Sequence, residues 1–347
     1  MAKRVLVLTI CLTLVFALAG LARSSVKVGG DAMMEYSWGS YDDDWADYDG
    51  YVALHEIDNV STRLKVKYKS DDKRFGAYFE IGVYSLSDNN AVTTRKANFW
   101  YSWEGGAVLF GQDYSVCDRY WPRQKLNDDA GLKKWGVHEI GRVGQFRLTL
   151  GEQHQFLLGL EYPKTKDAWG GTGEVYNTLP AIALAANINA GKVVIYPYVR
   201  YENTQWQDGA SSDSYYSLDV GGYLNGSFGL VGCTIGLNYA VNSGDKNAVV
   251  TNLPSVVGGQ VDDNVRHLLA WGELRIGGLA VGYSRITAER DDWAESAYAQ
   301  GVFANYKIPF GQINFQPEIV WLDNGEDNNG NDKGSAIICG LYCNLKF

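Results

Sequence analysis

The sequence predicts an all-β chain of the transmembrane antiparallel up-and-down β-barrel class, and three observations predict it. Apolar residues alternate with polar ones over many short stretches, the mark of strands with two unlike faces. Tight turns alternate with longer polar loops along the whole chain. The composition, with 40 Gly and 23 Tyr among 347 residues and only 20% charged, suits strands and turns better than helices.

The clearest alternation closes the chain. Counting back from Phe347, the residues Leu345, Cys343, Leu341, Cys339 and Ile337 take every second position, with Lys346, Asn344, Tyr342, Gly340, Ile338 and Ala336 as the more polar alternate set. One whole face is apolar and the last residue is aromatic. A soluble sandwich strand can read this way, but a strand with lipid outside and water inside reads this way more naturally.

The opening residues predict a secretory signal over 1–24. Lys3 and Arg4 precede an apolar run from Val5 to Leu18, and small residues follow up to Ser24. The run is shorter than the roughly 20 residues a spanning helix needs. Its removal takes Lys3, Arg4 and Arg23 with it, so the formal charge goes from -9 to about -12, which argues against a nucleic-acid partner. No later stretch is long and apolar enough to cross a membrane as a helix. An exported chain can still cross as a closed barrel that leaves no strand edge unpaired, here over residues 25–347.

In order, Val26–Trp38 alternates and is followed by an acidic segment. Val60–Lys69 is next, with Val60, Thr62, Leu64, Val66 and Tyr68 on one face and Arg63, Lys65, Lys67 and Lys69 on the other. Four cations on one face cannot sit in a dry core, because burying unpaired charge is prohibitive; that face is expected to be wet. A turn at Ser70–Lys73 leads to Phe75–Val83, then a strand from Lys96 to Trp103, a turn at Glu104–Gly106, and Ala107–Gln112. Asp113 to about Arg142 lacks alternation and is the longest stretch without strand character. Loops of such length are usually functional or disordered.

Strand pairs then follow around turns expected at Gly151–His154, Ala190–Lys192, Asn225–Gly226, Gly277–Gly278 and Pro309–Gln312, with a loop before Tyr216 and another at Asp323–Lys333. The expected total is 16 strands, with seven short turns alternating with eight longer loops. In such a barrel the tight turns share one rim and the long loops the other. Aromatics such as Trp38, Tyr68, Trp103, Tyr162, Tyr201, Tyr239 and Trp321 fall near strand ends, as a belt at the membrane surface requires.

With its strand-turn-strand rhythm, long third loop and terminal Phe347, the mature chain resembles the general bacterial porins of the Gram-negative outer membrane. That resemblance implies a water-filled channel for passive diffusion of ions and small hydrophilic solutes. It also implies a third loop folded into the lumen, a homotrimer, and contact with outer-membrane lipid and lipopolysaccharide. Through Phe347 it implies recognition by the barrel assembly machinery. It further implies a basic wall facing loop acids, where fixed charges filter what passes. Arg63, Lys65, Lys67, Lys96 and Arg147 are the candidates for the wall, and Asp113, Asp118, Asp128, Asp129 and Glu139 for the loop.

Two other functions compete. The cations and the loop aromatics Tyr120, Trp121 and Trp135 also suit a substrate-specific channel for anions, phosphate or sugars. A barrel enzyme is the more distant alternative, since the four histidines His55, His138, His154 and His267 single out no nucleophile. No cofactor is expected. The cysteines follow no metal spacing, and the acidic loops, Asp42–Asp44 and Glu326–Asp327 among them, match no calcium loop.

Overall fold

The computed structural model describes residues 25–41, 52–58, 62–83, 92–117, 123–126, 141–151, 153–162, 174–176, 179–208, 211–241, 265–291, 293–326 and 329–347. The expected signal segment lies outside them. Among the described residues, nineteen strands form one sheet. They are β1 Ser25–Tyr41, β2 Val52–Asp58, β3 Thr62–Lys69, β4 Phe75–Val83, β5 Val92–Trp103, β6 Gly106–Asp113, β7 Gly141–Leu150, β8 His154–Glu161, β9 Glu174–Tyr176 and β10 Ala181–Ala190. Then come β11 Val193–Asp208, β12 Ser211–Phe228, β13 Val231–Val241, β14 Arg266–Ile276, β15 Leu279–Glu289, β16 Ala297–Tyr306, β17 Ile308–Phe310, β18 Ile313–Asp323 and β19 Ser335–Lys346.

Several of these are parts of one stave. β2 and β3 both run along β1, opposite Glu35–Tyr41 and Ser25–Asp31 respectively. β16 and β17 both run along β18. β9 adds a short ladder to the end of β11, at Gln205–Gln207. What remains is a closed antiparallel barrel of 16 staves with one extra strand, as the rhythm predicts. β19 closes it against β1, from Asp31 opposite Lys346 to Tyr41 opposite Ala336. The closure ends in a reciprocal pair of backbone bonds, Gly30 N–H to Phe347 O at 2.8 Å and Phe347 N–H to Gly30 O at 3.1 Å. A Cβ on Gly30 would meet the Phe347 ring at 2.4 Å, so the terminal aromatic lies on a residue without a side chain.

One rim is built from tight turns that need a left-handed residue. Gly105, Gly151, Gly191, Gly229, Gly277 and Gly311 supply it with φ between 59° and 90°, and Lys73 does so at 60° without being glycine. Two expectations fail in the middle of the chain. Asn225–Gly226 is not a turn: both residues stay in β12, paired with Thr234 and Cys233, and the reversal comes at Gly229. Gly226 is small because the Phe228 ring occupies the space its Cβ would take, 2.8 Å away. The loop expected before Tyr216 is mostly strand, since β11 and β12 stay paired out to Asp208 and Ser211.

The faces are inverted relative to a water-soluble sheet. Leu64, Phe99, Leu184, Ile235, Leu274 and Ile319 are exposed on the outer face, whereas Glu80, Gln145, Arg200, Thr234, Glu273 and Asn305 are buried on the inner one. A soluble sandwich buries the opposite set; a membrane barrel requires this one.

Candidate functional site

The inner face of β3 carries Arg63, Lys65 and Lys67, because the pleat that exposes Leu64 to the outside turns its neighbours inward. Lys65 is ion-paired to Asp31 on β1. Arg63 Nε lies 4.0 Å from Glu80 Oε1 on β4. Lys67 Nζ sits 5.8 Å from the centre of the Trp100 ring, which lies where a Cβ on Gly76 would be, 2.0 Å away. Glu80 also accepts the Tyr78 hydroxyl at 2.6 Å and Arg95 Nε at 2.9 Å.

Arg95 is a member of this wall that alternation does not reveal. The β4–β5 ladder shifts register between Glu80 and Ile81, which face Lys96 and Thr94. Arg95 is therefore the extra residue of a β-bulge, and the bulge turns two consecutive cations to the same side. Lys96 Nζ binds Asp113 Oδ1 at 2.8 Å and stands 3.6 Å above the Tyr114 ring centre. Asn98 Nδ2 donates to the other carboxylate oxygen of Asp113 at 3.0 Å. The Thr-Thr-Arg-Lys run at 93–96 was the available sign: alternation lapses just where the bulge forms.

The remaining candidates lie elsewhere. Arg147 is opposite Ala107 and Leu157, near the turn at Gly151, away from the other cations. Asp113 is the last residue of β6 and belongs to the wall, where a place in the loop was expected. Asp118, Asp128, Asp129 and Glu139 lie outside the described residues. So do Tyr120, Trp121 and Trp135.

The two described pieces of the third loop lie against the inner wall at separate places. At 115–117 it is held by β8 and β11: the Ser115 hydroxyl and Val116 N–H donate to Glu161 at 2.7 and 3.1 Å, and the Tyr196 hydroxyl donates to Val116 O at 2.6 Å. At 123–126 it is held by β14, β16 and β18. Arg123 N–H donates to Glu273 at 2.7 Å, and Glu318 accepts from Lys125 and Leu126 N–H. Asn305 and Gln316 both donate to Arg123 O. Leu126 is fully buried against Phe303, Val320, Leu322 and Ile338. These inward apolar residues, with Val116, Cys117 and Leu157 on the other side, make two dry contacts inside a polar lumen.

On the described residues the acids sit on the wall, and the loop brings backbone amides together with Arg123 and Lys125. On the wall, Glu80, Glu161, Glu273 and Glu318 are buried hydrogen-bond acceptors, whereas the ion-paired Asp31 and Asp113 keep 13% and 20% of their side chains exposed. Cys117 is buried, and Cys117, Cys233, Cys339 and Cys343 are all free thiols. Among the described residues no group of three or more His, Cys, Asp or Glu side chains is placed to hold a metal.

A family model described as Gram-negative porin matches residues 8–338. Among solved structures, the outer membrane channel DcaP of Acinetobacter baumannii superposes with a TM-score of 0.73 at 16% identity, covering 93% of this chain and 97% of that one. An anion-selective porin from Comamonas acidovorans gives 0.61 at 12% identity over 94% and 100%. The outer-membrane protein OmpT of Vibrio cholerae gives 0.61 at 10% identity over 93% and 98%. Among curated proteins, none matches the sequence.

Proposed function

The chain belongs to the Gram-negative porins, and from that premise we propose that its lumen favours anions. It is an outer-membrane barrel that forms a passive diffusion channel. Family and fold are those of a channel rather than an enzyme.

One observation carries the anion preference. The Arg63 and Lys65 side chains are 25% and 29% exposed, whereas those of Glu80 and Glu161 are 5% and that of Glu273 is 1%. Arg63 and Lys65 are paired with Glu80 and Asp31, and in each pair the cation is the more exposed partner, at 25% against 5% and 29% against 13%, so the pore water meets the cations first. Fixed charge at a narrowing sets which ions enter, and the open charge here is positive. The solved porin from Comamonas acidovorans is itself anion-selective. Arg63, Lys65, Lys67, Arg95 and Lys96 form the proposed filter wall. Assembly as a homotrimer fits the trimer form solved for OmpT of Vibrio cholerae.

Reversal potential across a potassium chloride gradient in planar bilayers tests the reading. The expected sign is that of chloride preference, and an Arg63→Gln, Lys65→Gln, Lys67→Gln variant is expected to move the permeability ratio towards the cation. A cation-directed potential in the unmodified channel, or an unmoved ratio in the variant, overturns it.

A further inference from the structure

Near the tight-turn rim the inner wall holds two cations face to face. Lys27 of β1 lies directly opposite Lys67 of β3. Lys27 points inward because it shares its side of β1 with Asp31, the partner of Lys65, while Val28 between them is 62% exposed on the outer face. Like charges directly opposite in a sheet are destabilising, and both lysines are exposed and in no ion pair among the described residues. Lys69, opposite Ser25, and Lys346, opposite Asp31, add to the same end of the wall.

The acids nearby do not cancel this charge. Asp31 is held by Lys65, Glu80 is buried beneath Arg63 and Arg95, and Asp72 is bonded to Ser70 and Arg74 N–H. The terminal carboxylate of Phe347, which accepts Gly30 N–H at 2.8 Å, and the exposed Asp71 remain. Two carboxylates against four lysines leave an excess of two positive charges. An aromatic face lies beside them. Trp100 is opposite Gly76, and its ring rests against the β4 backbone where a Cβ on Gly76 would stand. Lys67 Nζ is 5.8 Å from the centre of that ring, so the ammonium pair and the indole fall within reach of one small solute.

We propose that Lys27, Lys67 and Trp100 form a binding site for a phosphorylated monosaccharide at the tight-turn mouth of the lumen. The two ammonium groups hold the phosphate, a dianion near neutral pH, through charge-assisted hydrogen bonds. The indole, negative on its face, takes the C–H side of the sugar ring. The site rests on the anion preference proposed above and gives it a solute class. The test adds glucose 6-phosphate, glucose or inorganic phosphate to the full-length channel in planar bilayers and reads the concentration that halves the current. Glucose 6-phosphate is expected to block at a lower concentration than either of the others. Lys27→Gln, which lies outside the filter wall, is expected to raise its half-blocking concentration about tenfold, the equivalent of one charge-assisted hydrogen bond. Trp100→Leu is expected to raise it for glucose 6-phosphate and leave that for inorganic phosphate where it was. Lys192→Gln, in another tight turn, is expected to change neither. Equal block by glucose 6-phosphate and inorganic phosphate, or unchanged block in Lys27→Gln, overturns the site. The reversal potential in potassium chloride separates the two readings: a chloride-preferring channel that glucose 6-phosphate does not block overturns this one alone.

Discussion

The Glu318 carboxylate accepts the backbone N–H of Leu126 at 2.7 Å, joining residues 192 positions apart. It also accepts Lys125 N–H at 2.9 Å and Asn305 Nδ2 at 2.7 Å. A buried carboxylate needs donors, and the loop backbone supplies them, so one side chain latches the loop to the wall. Glu318→Ala is expected to cost about 1–3 kcal/mol through the unmade hydrogen bonds. Single-channel recordings should show larger and noisier current steps. Unchanged conductance and noise would count against the latch.

Leu126 supplies the apolar half of the same attachment. Its side chain fills a pocket of Phe303, Val320, Leu322 and Ile338, and Leu126→Ala leaves a cavity expected to cost about 2–5 kcal/mol. Because Leu126 and Glu318 act on one short segment, the double variant should lose less than the sum of the single losses. Strict additivity in thermal unfolding would show that the two contacts are independent.

Arg200 holds the other landing point together. Its Nε lies 3.1 Å from Glu161 and its Nη2 2.7 Å from Glu202, with all three side chains at most 5% exposed. Glu161 in turn binds the loop at Ser115 and Val116. Arg200→Met removes the cation that offsets two buried carboxylates and is expected to destabilise the barrel by about 3–5 kcal/mol. Replacing Glu202 with Gln in the same chain should recover part of the loss; no recovery would place the cost in lost packing.

At the tight-turn rim, Asp72 accepts the Ser70 hydroxyl at 2.6 Å and Arg74 N–H at 3.0 Å. These bonds, the Ser70 one foremost, hold its carboxyl below the ordinary aspartate range. A depressed folded-state value means that its contribution is present above the unfolded aspartate pKa, about 3.9, and is lost as pH falls through the folded value. The unmodified protein and Asp72→Asn should therefore differ in unfolding temperature near neutral pH and converge in acid. A gap that persists below that range would assign the effect to something other than this charge.

The barrel is legible in the sequence because lipid on one side and water on the other force a period of two along every stave. Ile337 to Phe347, Leu64 between Arg63 and Lys65, and the turn glycines all follow from that. The loop's attachment is less legible, since Glu161, Glu273 and Glu318 look like any inward acid until a segment far away in the chain is placed against them. Phe303, Val320 and Ile338 did break the polar-inside rule, and those breaks mark where Leu126 docks. Asn225–Gly226 shows the opposite error: a turn-forming pair is overruled by pairing on both sides, with the glycine making room for Phe228.

Arg95 is where strict alternation misleads most, and it carries the sharpest electrostatic consequence. Glu80 is shared between Arg63 at 4.0 Å and Arg95 at 2.9 Å, so the trio carries one net positive charge. Removing Arg95 leaves Arg63 and Glu80 as a neutral pair, and the local charge falls from one to zero. Lys65 is paired with Asp31 and Lys96 with Asp113, so the trio is the cluster whose net charge depends on the bulge. Charges within about 8–10 Å act together at physiological salt. Arg95→Gln should then shift the reversal potential towards the cation as far as Arg63→Gln does, and Glu80→Gln should shift it the other way. If Arg95 faced lipid, as unbroken alternation demands, its replacement would leave the potential where it was.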